Sequence, residues 1–156
     1  MGVLTVQTIL AEIGLDPSRF PTVKQFTSWL GLSPGVNISG GKRKSSKTRH
    51  VSSRAANAFR IAAMAAGKSG SAIGAFFRRL KARLGSPKAI TATAHKLARI
   101  FYQMWTTRRS YQDAGAGHYE QQFQQRKLKQ LRKQAASLGF DLIQQPVSTA
   151  SIKDVS

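Results

Sequence analysis

The chain has 156 residues, no cysteine, 41% hydrophobic residues, and 25 Lys and Arg against 6 Asp and Glu, for a formal net charge of +19. The apolar content excludes a disordered basic tail, which lacks the side chains needed to offset chain entropy. The missing cysteines exclude a disulfide framework and any thiolate metal site, and the length corresponds to one domain with a modest core.

Leu4, Ile9, Leu10 and Ile13 mark a first helix, ended by Gly14 and the Asp16-Pro17 break. Residues Thr22 to Leu30 form a second, short helix with Phe26, Trp29 and Leu30 at i, i+3 and i+4; Gly31 and Pro34-Gly35 stop it. From Val36 to Arg49 the chain reads as a basic loop, too rich in Gly and Ser for a helix and without the alternation of a strand. Ala55 to Ala66 is an Ala-rich helix. After a break at Gly67 to Gly70, Ser71 to Leu84 sets Ile73, Phe76, Phe77, Leu80 and Leu84 on one face, with Arg78, Arg79, Lys81 and Arg83 largely off it.

Gly85-Ser86-Pro87 is a stop-and-start signal, with Ser86 as N-cap of a long helix that runs to about Arg108. A Gly-containing turn at Ala114 to Gly117 leads to a last helix, His118 to Leu138, polar apart from Phe123, Leu128, Leu131 and Ala135. Beyond Leu142 a short polar tail is expected to fray. The fold class is all-α: a compact helical domain with a basic Gly/Ser-rich loop.

The placement of the acids narrows the partner. They are Glu12, Asp16, Asp113, Glu120, Asp141 and Asp154, so the stretch from Pro17 to Gln112 carries 19 Lys and Arg and no carboxylate. Unrelieved like charge destabilises a compact state, and nucleic-acid phosphate is the natural source of the missing anions. A membrane surface fits less well. There is no apolar run of about 18 residues, no signal-peptide pattern, and no single long apolar-backed basic face. A cytoplasmic, nucleoid-associated protein is expected. Six scattered acids do not supply the three or four converging carboxylates of a two-metal site, and three scattered histidines show no ligand spacing. The AAGKS string at residues 65 to 69 lacks the first P-loop glycine, which is Ala62 here, and has no preceding strand.

The basic loop is the most informative segment. Lys42, Arg43, Lys44, Lys47 and Arg49 can reach phosphates, and Gly40 and Gly41 allow backbone amides to approach an anion closely. Arg78, Arg79, Arg83, His95 and Lys96 extend the candidate nucleic-acid surface. His95, one turn from Arg99, reads as a core histidine or a phosphate contact rather than a catalytic base. Ser39 taken alone is a turn residue, because no Ser-His-Asp arrangement accompanies it. Residue by residue, the reading is a basic helical nucleic-acid-binding domain, with a non-enzymatic RNA-binding protein of ribosomal type as the alternative.

The strings FPTVKQFTSWLGLSPGVNISGGKRKSSKTRH, SAIGAFFRRLKARLGSPKAITATAHKLARIFYQM and YEQQF, in that order, closely resemble the C-terminal transposase domain of the insertion-sequence family one-hundred-and-ten. These are DEDD transposases, understood as RNA-guided serine recombinases, and the resemblance spans about Gly2 to Leu142. It implies a two-part enzyme in which an N-terminal RuvC-like domain supplies a four-carboxylate metal site and a coiled coil joins subunits. The C-terminal domain supplies a serine that attacks DNA phosphate, and the serine of the SG motif after GLSP falls on Ser39. The implied partners are DNA, a guide RNA and further transposase subunits. Magnesium is implied for the RuvC-like domain, with no cofactor bound by this chain. On this basis residues 1–142 are expected to be a transposase C-terminal domain that opens within a partial helix-hairpin-helix and lacks the RuvC-like half. Residues 143–156 are expected to be a flexible tail, and the chain a truncated fragment inactive by itself.

Overall fold

A computed structural model of the chain describes residues 2–35, 37–45 and 48–144, and of 37–39 and 42–45 the backbone alone. Most of the expected tail lies outside the described residues. The chain divides into two units, Met1–Tyr119 and Glu120–Ser156.

The first unit is helical, as its periodicity predicts. It contains α1 (Val3–Ile13), a 3-10 turn (Pro17–Arg19), α2 (Val23–Trp29), two short strands, β1 (Asn37–Ser39) and β2 (Lys42–Ser45), then α3 (Arg54–Ala66), α4 (Ala72–Leu84) and α5 (Ser86–Thr107). Hydroxyl caps start three of the helices: Thr22, Ser53 and Ser71 accept the backbone N–H of Gln25, Ala56 and Gly74 at 3.2, 3.0 and 3.0 Å. Ser86 does not cap α5. The cap is Gly85 at φ 80°, whose N–H donates to Lys81 O at 3.0 Å while its own carbonyl accepts from Ala89 N at 3.1 Å. One glycine with positive φ thus closes α4 and opens α5, which leaves Ser86 inside the helix.

The expected loop forms an antiparallel two-stranded ribbon instead, with Ser39 paired to Lys42 and Ile38 to Arg43. Gly40 and Gly41, at φ 57° and 73°, form the two-residue turn between the strands. Positive φ at both positions matches the twist that a tight hairpin requires. The strands are only three and four residues long, too short for alternation to stand out in the sequence.

The core lies between α3 and α5, flanked by α1 and α2. Ala55, Ala56, Ala63, Ala94 and Ala98 are buried in this core, where small side chains let helix backbones approach. Over it sits an aromatic cluster centred on Phe26, whose ring centroid is 5.2 Å from Phe20, 5.6 Å from Tyr102, 6.0 Å from Trp105, 6.3 Å from Phe101 and 6.5 Å from Phe59. The polar edges of the cluster are satisfied: Tyr102 Oη donates to Phe20 O at 2.7 Å and Trp105 Nε1 to Leu15 O at 3.2 Å. A smaller cluster of Phe77, Leu80 and Ala89 joins α4 to α5.

Three of the five acids among the described residues serve helix starts. Glu12 accepts from Ala55 N at the first residues of α3, Asp113 accepts from Ala72 N at the start of α4 at 3.0 Å, and Asp16 accepts from Ser18 N and Oγ at 2.9 and 2.7 Å. Carboxylates are favoured at these exposed amides. The Ser18 hydroxyl and amide hold Asp16 below its ordinary carboxylate value.

The last helix, α6 (Gly115–Ser137), starts three residues earlier than the sequence suggests and has no buried residue. It ends where Phe140 N donates to Ala135 O and Gly139 N to Ala136 O, at 2.9 and 3.1 Å, with Gly139 at φ 80°. This is the Schellman pairing that satisfies the last carbonyls of a helix. Among the described residues no helix is long and apolar enough to cross a membrane.

Candidate nucleic-acid interface

The ribbon is rooted in the core through the end of α2. Thr27, buried in the core layer, accepts the N–H groups of Leu32 and Ser33 on its carbonyl at 3.1 and 3.3 Å. Its hydroxyl accepts from Ser33 Oγ at 2.9 Å. Arg49 Nη2 donates to Ser28 O at 3.4 Å, and Pro34 pairs with Thr48 at the foot of the ribbon. Gly31 makes the turn out of α2 at φ 65°, and a Cβ there would meet Val51 Cγ2 at 2.7 Å and Cβ at 2.9 Å. Gly31→Ala therefore combines an unfavourable backbone angle with a clash, and should destabilise the protein by about 2 kcal/mol. Urea unfolding is the check, and a loss under about 0.5 kcal/mol would mean that Val51 gives way freely.

Of the residues singled out in the basic segment, Ser39, Lys42, Arg43 and Lys44 belong to the ribbon, where the backbone alone is described, and Lys47 lies outside the described residues. Arg49 serves as the clamp just described.

Beside the foot of the ribbon runs an open groove of about 1500 Å³. Its floor is α5, presenting Lys88, His95, Lys96 and Arg99; Pro34 and Thr48 from the ribbon's foot contribute to its lining, as do Phe76 and Leu84 from α4. Lys96 Nζ stands 4.2 Å from the Phe76 ring centroid and 5.4 Å from that of Tyr119, and Arg79 Cζ stands 5.7 Å from the same Tyr119 ring. The structure thus places His95 and Lys96 in the groove that Pro34 and Thr48 also line. Arg83 is exposed in the last turn of α4. Arg78 is engaged within the fold, where its Nη1 donates to Gly67 O and Ser69 O at 3.0 and 2.8 Å and closes the turn between α3 and α4.

Two groove cations, Lys88 and Arg99, were not singled out from the sequence. The signal was present: Lys88, Thr91, His95, Arg99, Gln103 and Thr106 recur at spacings of three and four along α5, a polar stripe on an otherwise apolar helix. Apolar periodicity identified the opposite face and concealed it.

His95 is half-buried, and burial first, then the Arg99 guanidinium, holds it below the ordinary imidazole value. The folded state therefore favours the neutral ring, and the unfolded chain binds more protons in the window below about pH 6.5. Stability contributed by this residue is full above that value and falls as pH drops toward the depressed folded one. His95→Gln should flatten the difference in urea midpoint between pH 7 and pH 5; an unchanged difference would assign the slope to other groups.

Among the described residues no group of three or more His, Asp or Glu side chains converges as metal ligands. Glu12, Asp16 and Asp113 stand apart, each on helix amides. These residues do not fit a resident magnesium ion.

Residues 1–78 match the model of a family described as Transposase IS116/IS110/IS902 family. The matched span runs from α1 through the ribbon and Ser39 to the middle of α4. No curated protein and no solved structure matches the chain.

Proposed function

Because the chain belongs to the IS116/IS110/IS902 transposase family, we propose that it is the nucleic-acid-binding, serine-bearing part of a DNA recombinase, with Ser39 as nucleophile. The observation that carries this reading is the setting of Ser39. It is the last residue of β1, next to a two-glycine turn and paired in register with Lys42, on a ribbon anchored to the buried Thr27. A paired stem with a tight tip suits a group that must be held at one phosphate.

In the proposed step the Ser39 oxygen forms a bond to a DNA phosphorus as the bond from phosphorus to one sugar oxygen breaks. The hydroxyl proton leaves and the freed sugar oxygen takes one up. The phosphoserine link keeps the phosphodiester's energy for rejoining to another strand. Phosphoryl transfer depends on positioning and charge neutralisation, and Lys42, Arg43 and Lys44 flank the serine in sequence to supply the latter. DNA, guide RNA and other transposase subunits are the partners of this reading. Its direct test is a covalent protein–DNA adduct that disappears in Ser39→Ala.

Binding should be dominated by phosphate contacts and centred on the ribbon. Affinity for duplex DNA, followed by fluorescence anisotropy, should fall steeply between about 50 and 200 mM salt. Alanine at Lys42, Arg43 and Lys44 together should weaken it more than alanine at Lys127, Lys129 and Lys133, which lie on α6. Equal losses would make the ribbon one part of a diffuse positive field.

A further inference from the structure

Resting on the nucleic-acid reading of the chain, we infer that the groove along α5 receives an unpaired nucleic-acid strand and leads it to the foot of the ribbon. Size is the first ground. At about 1500 Å³ the groove exceeds the roughly 300–1,000 Å³ of a site for one small molecule. Its polar stripe from Lys88 to Thr106 extends about 27 Å along the helix. That length accommodates several nucleotides, in the range of known single-strand sites, which begin at about 4.

The lining is the second ground. Duplex DNA offers a protein its phosphates first, and cations alone suffice to hold them. An unpaired strand offers phosphates and base faces together, and its sites alternate cations with aromatic and apolar surface. This groove offers both: Lys88 and Arg99 are exposed cations on its floor, while Phe76, Leu84, Ile100 and Tyr102 contribute to its lining. Among the described residues no acidic one lines it. Half-buried His95, in its neutral form, has one donor and one acceptor to offer a base edge.

Position is the third. Pro34 and Thr48, the bridged pair at the ribbon's foot, also line the groove, so a strand lying along α5 runs up to the ribbon that carries Ser39.

The test uses the full chain with three fluorescein-labelled probes: a 20-nucleotide oligothymidine, a 20-nucleotide oligouridine, and a 20-base-pair duplex. The double variant Lys88→Ala/Arg99→Ala is compared with Lys127→Ala/Lys133→Ala, which removes the same charge from α6. The groove variant should lose at least about tenfold in affinity for the unpaired probes and under about threefold for the duplex. The α6 variant should lose about equally on all three. Oligothymidine against oligouridine tells which sugar the groove prefers. Both groove substitutions are at exposed positions, and circular dichroism verifies the fold. As a measurement independent of any substitution, ultraviolet cross-linking of a 4-thiothymidine oligonucleotide to the unaltered chain should map to α5 peptides containing His95 or Tyr102. Equal losses on duplex and single strand, or cross-links confined to α6, would overturn the groove assignment while leaving nucleic-acid binding intact. Failure of all three probes to bind the unaltered chain would remove the nucleic-acid reading itself.

Discussion

Ser39→Ala is expected to abolish covalent capture of DNA, lowering the rate of adduct formation by at least about a thousandfold, as removal of an essential nucleophile does in other covalent enzymes. The reaction would contain target DNA, a guide RNA and a separately supplied DEDD domain, and the product would be read as a slowly migrating band on denaturing gels. The same mixture without the DEDD domain should give no adduct. A serine hydroxyl near its free pKa is a poor nucleophile, and Glu12, Asp16 and Asp113 are each engaged by helix amides. Ser39→Cys is a useful companion, because a thiolate retains nucleophilicity while altering the leaving chemistry. An adduct that survives in Ser39→Ala would remove this residue from the mechanism, and an adduct formed by the chain alone would remove the dependence on the second domain.

Phe26→Ala should be the most damaging single change to the fold, costing about 3–5 kcal/mol. Phe26 is fully buried, and five aromatic rings have centroids within 6.5 Å of its own. Those rings come from the turn before α2 and from α3 and α5, which cannot all move inward to fill one void. A loss of that size is a large part of the roughly 5–15 kcal/mol that typically holds a domain together. Thr27 is the next residue, so the ribbon's root should loosen with it. Urea unfolding should show a sharply lower midpoint, and a cost below about 1.5 kcal/mol would mean that the cluster repacks. Phe26→Leu keeps most of the volume and should cost markedly less.

The helices of the first unit were legible because each carries one apolar face and several are bounded by local chemistry. Thr22, Ser53 and Ser71 stand where caps are needed, and Ile9, Ile13, Phe59, Leu97 and Phe101 repeat with helical spacing. The ribbon was not legible. Its residues follow no apolar alternation, and what determines it is Gly40-Gly41 together with anchors distant in sequence, such as the contact of Arg49 with Ser28. Gly85 was half legible: a break was evident, but one residue serving two helices depends on a dihedral angle that composition does not reveal. The groove escaped for a different reason. It is formed from α4, α5 and the stem of the ribbon, and a cavity between elements has no signature within any one of them.

The placement of the acids reaches beyond the fold. With Glu12, Asp16 and Asp113 engaged by backbone amides, they leave most of the surface cations of a +19 chain to be neutralised by ions from outside. A polyanion that binds the folded form and not the unfolded one adds RT ln(1 + [L]/Kd) to stability, about 2.7 kcal/mol at a hundredfold excess over Kd. On the nucleic-acid reading proposed above, occupancy would govern survival in the cell. Copies held on nucleic acid would open rarely, whereas surplus copies would open more often and fall to proteases, so the amount of protein would adjust to the number of sites available to hold it.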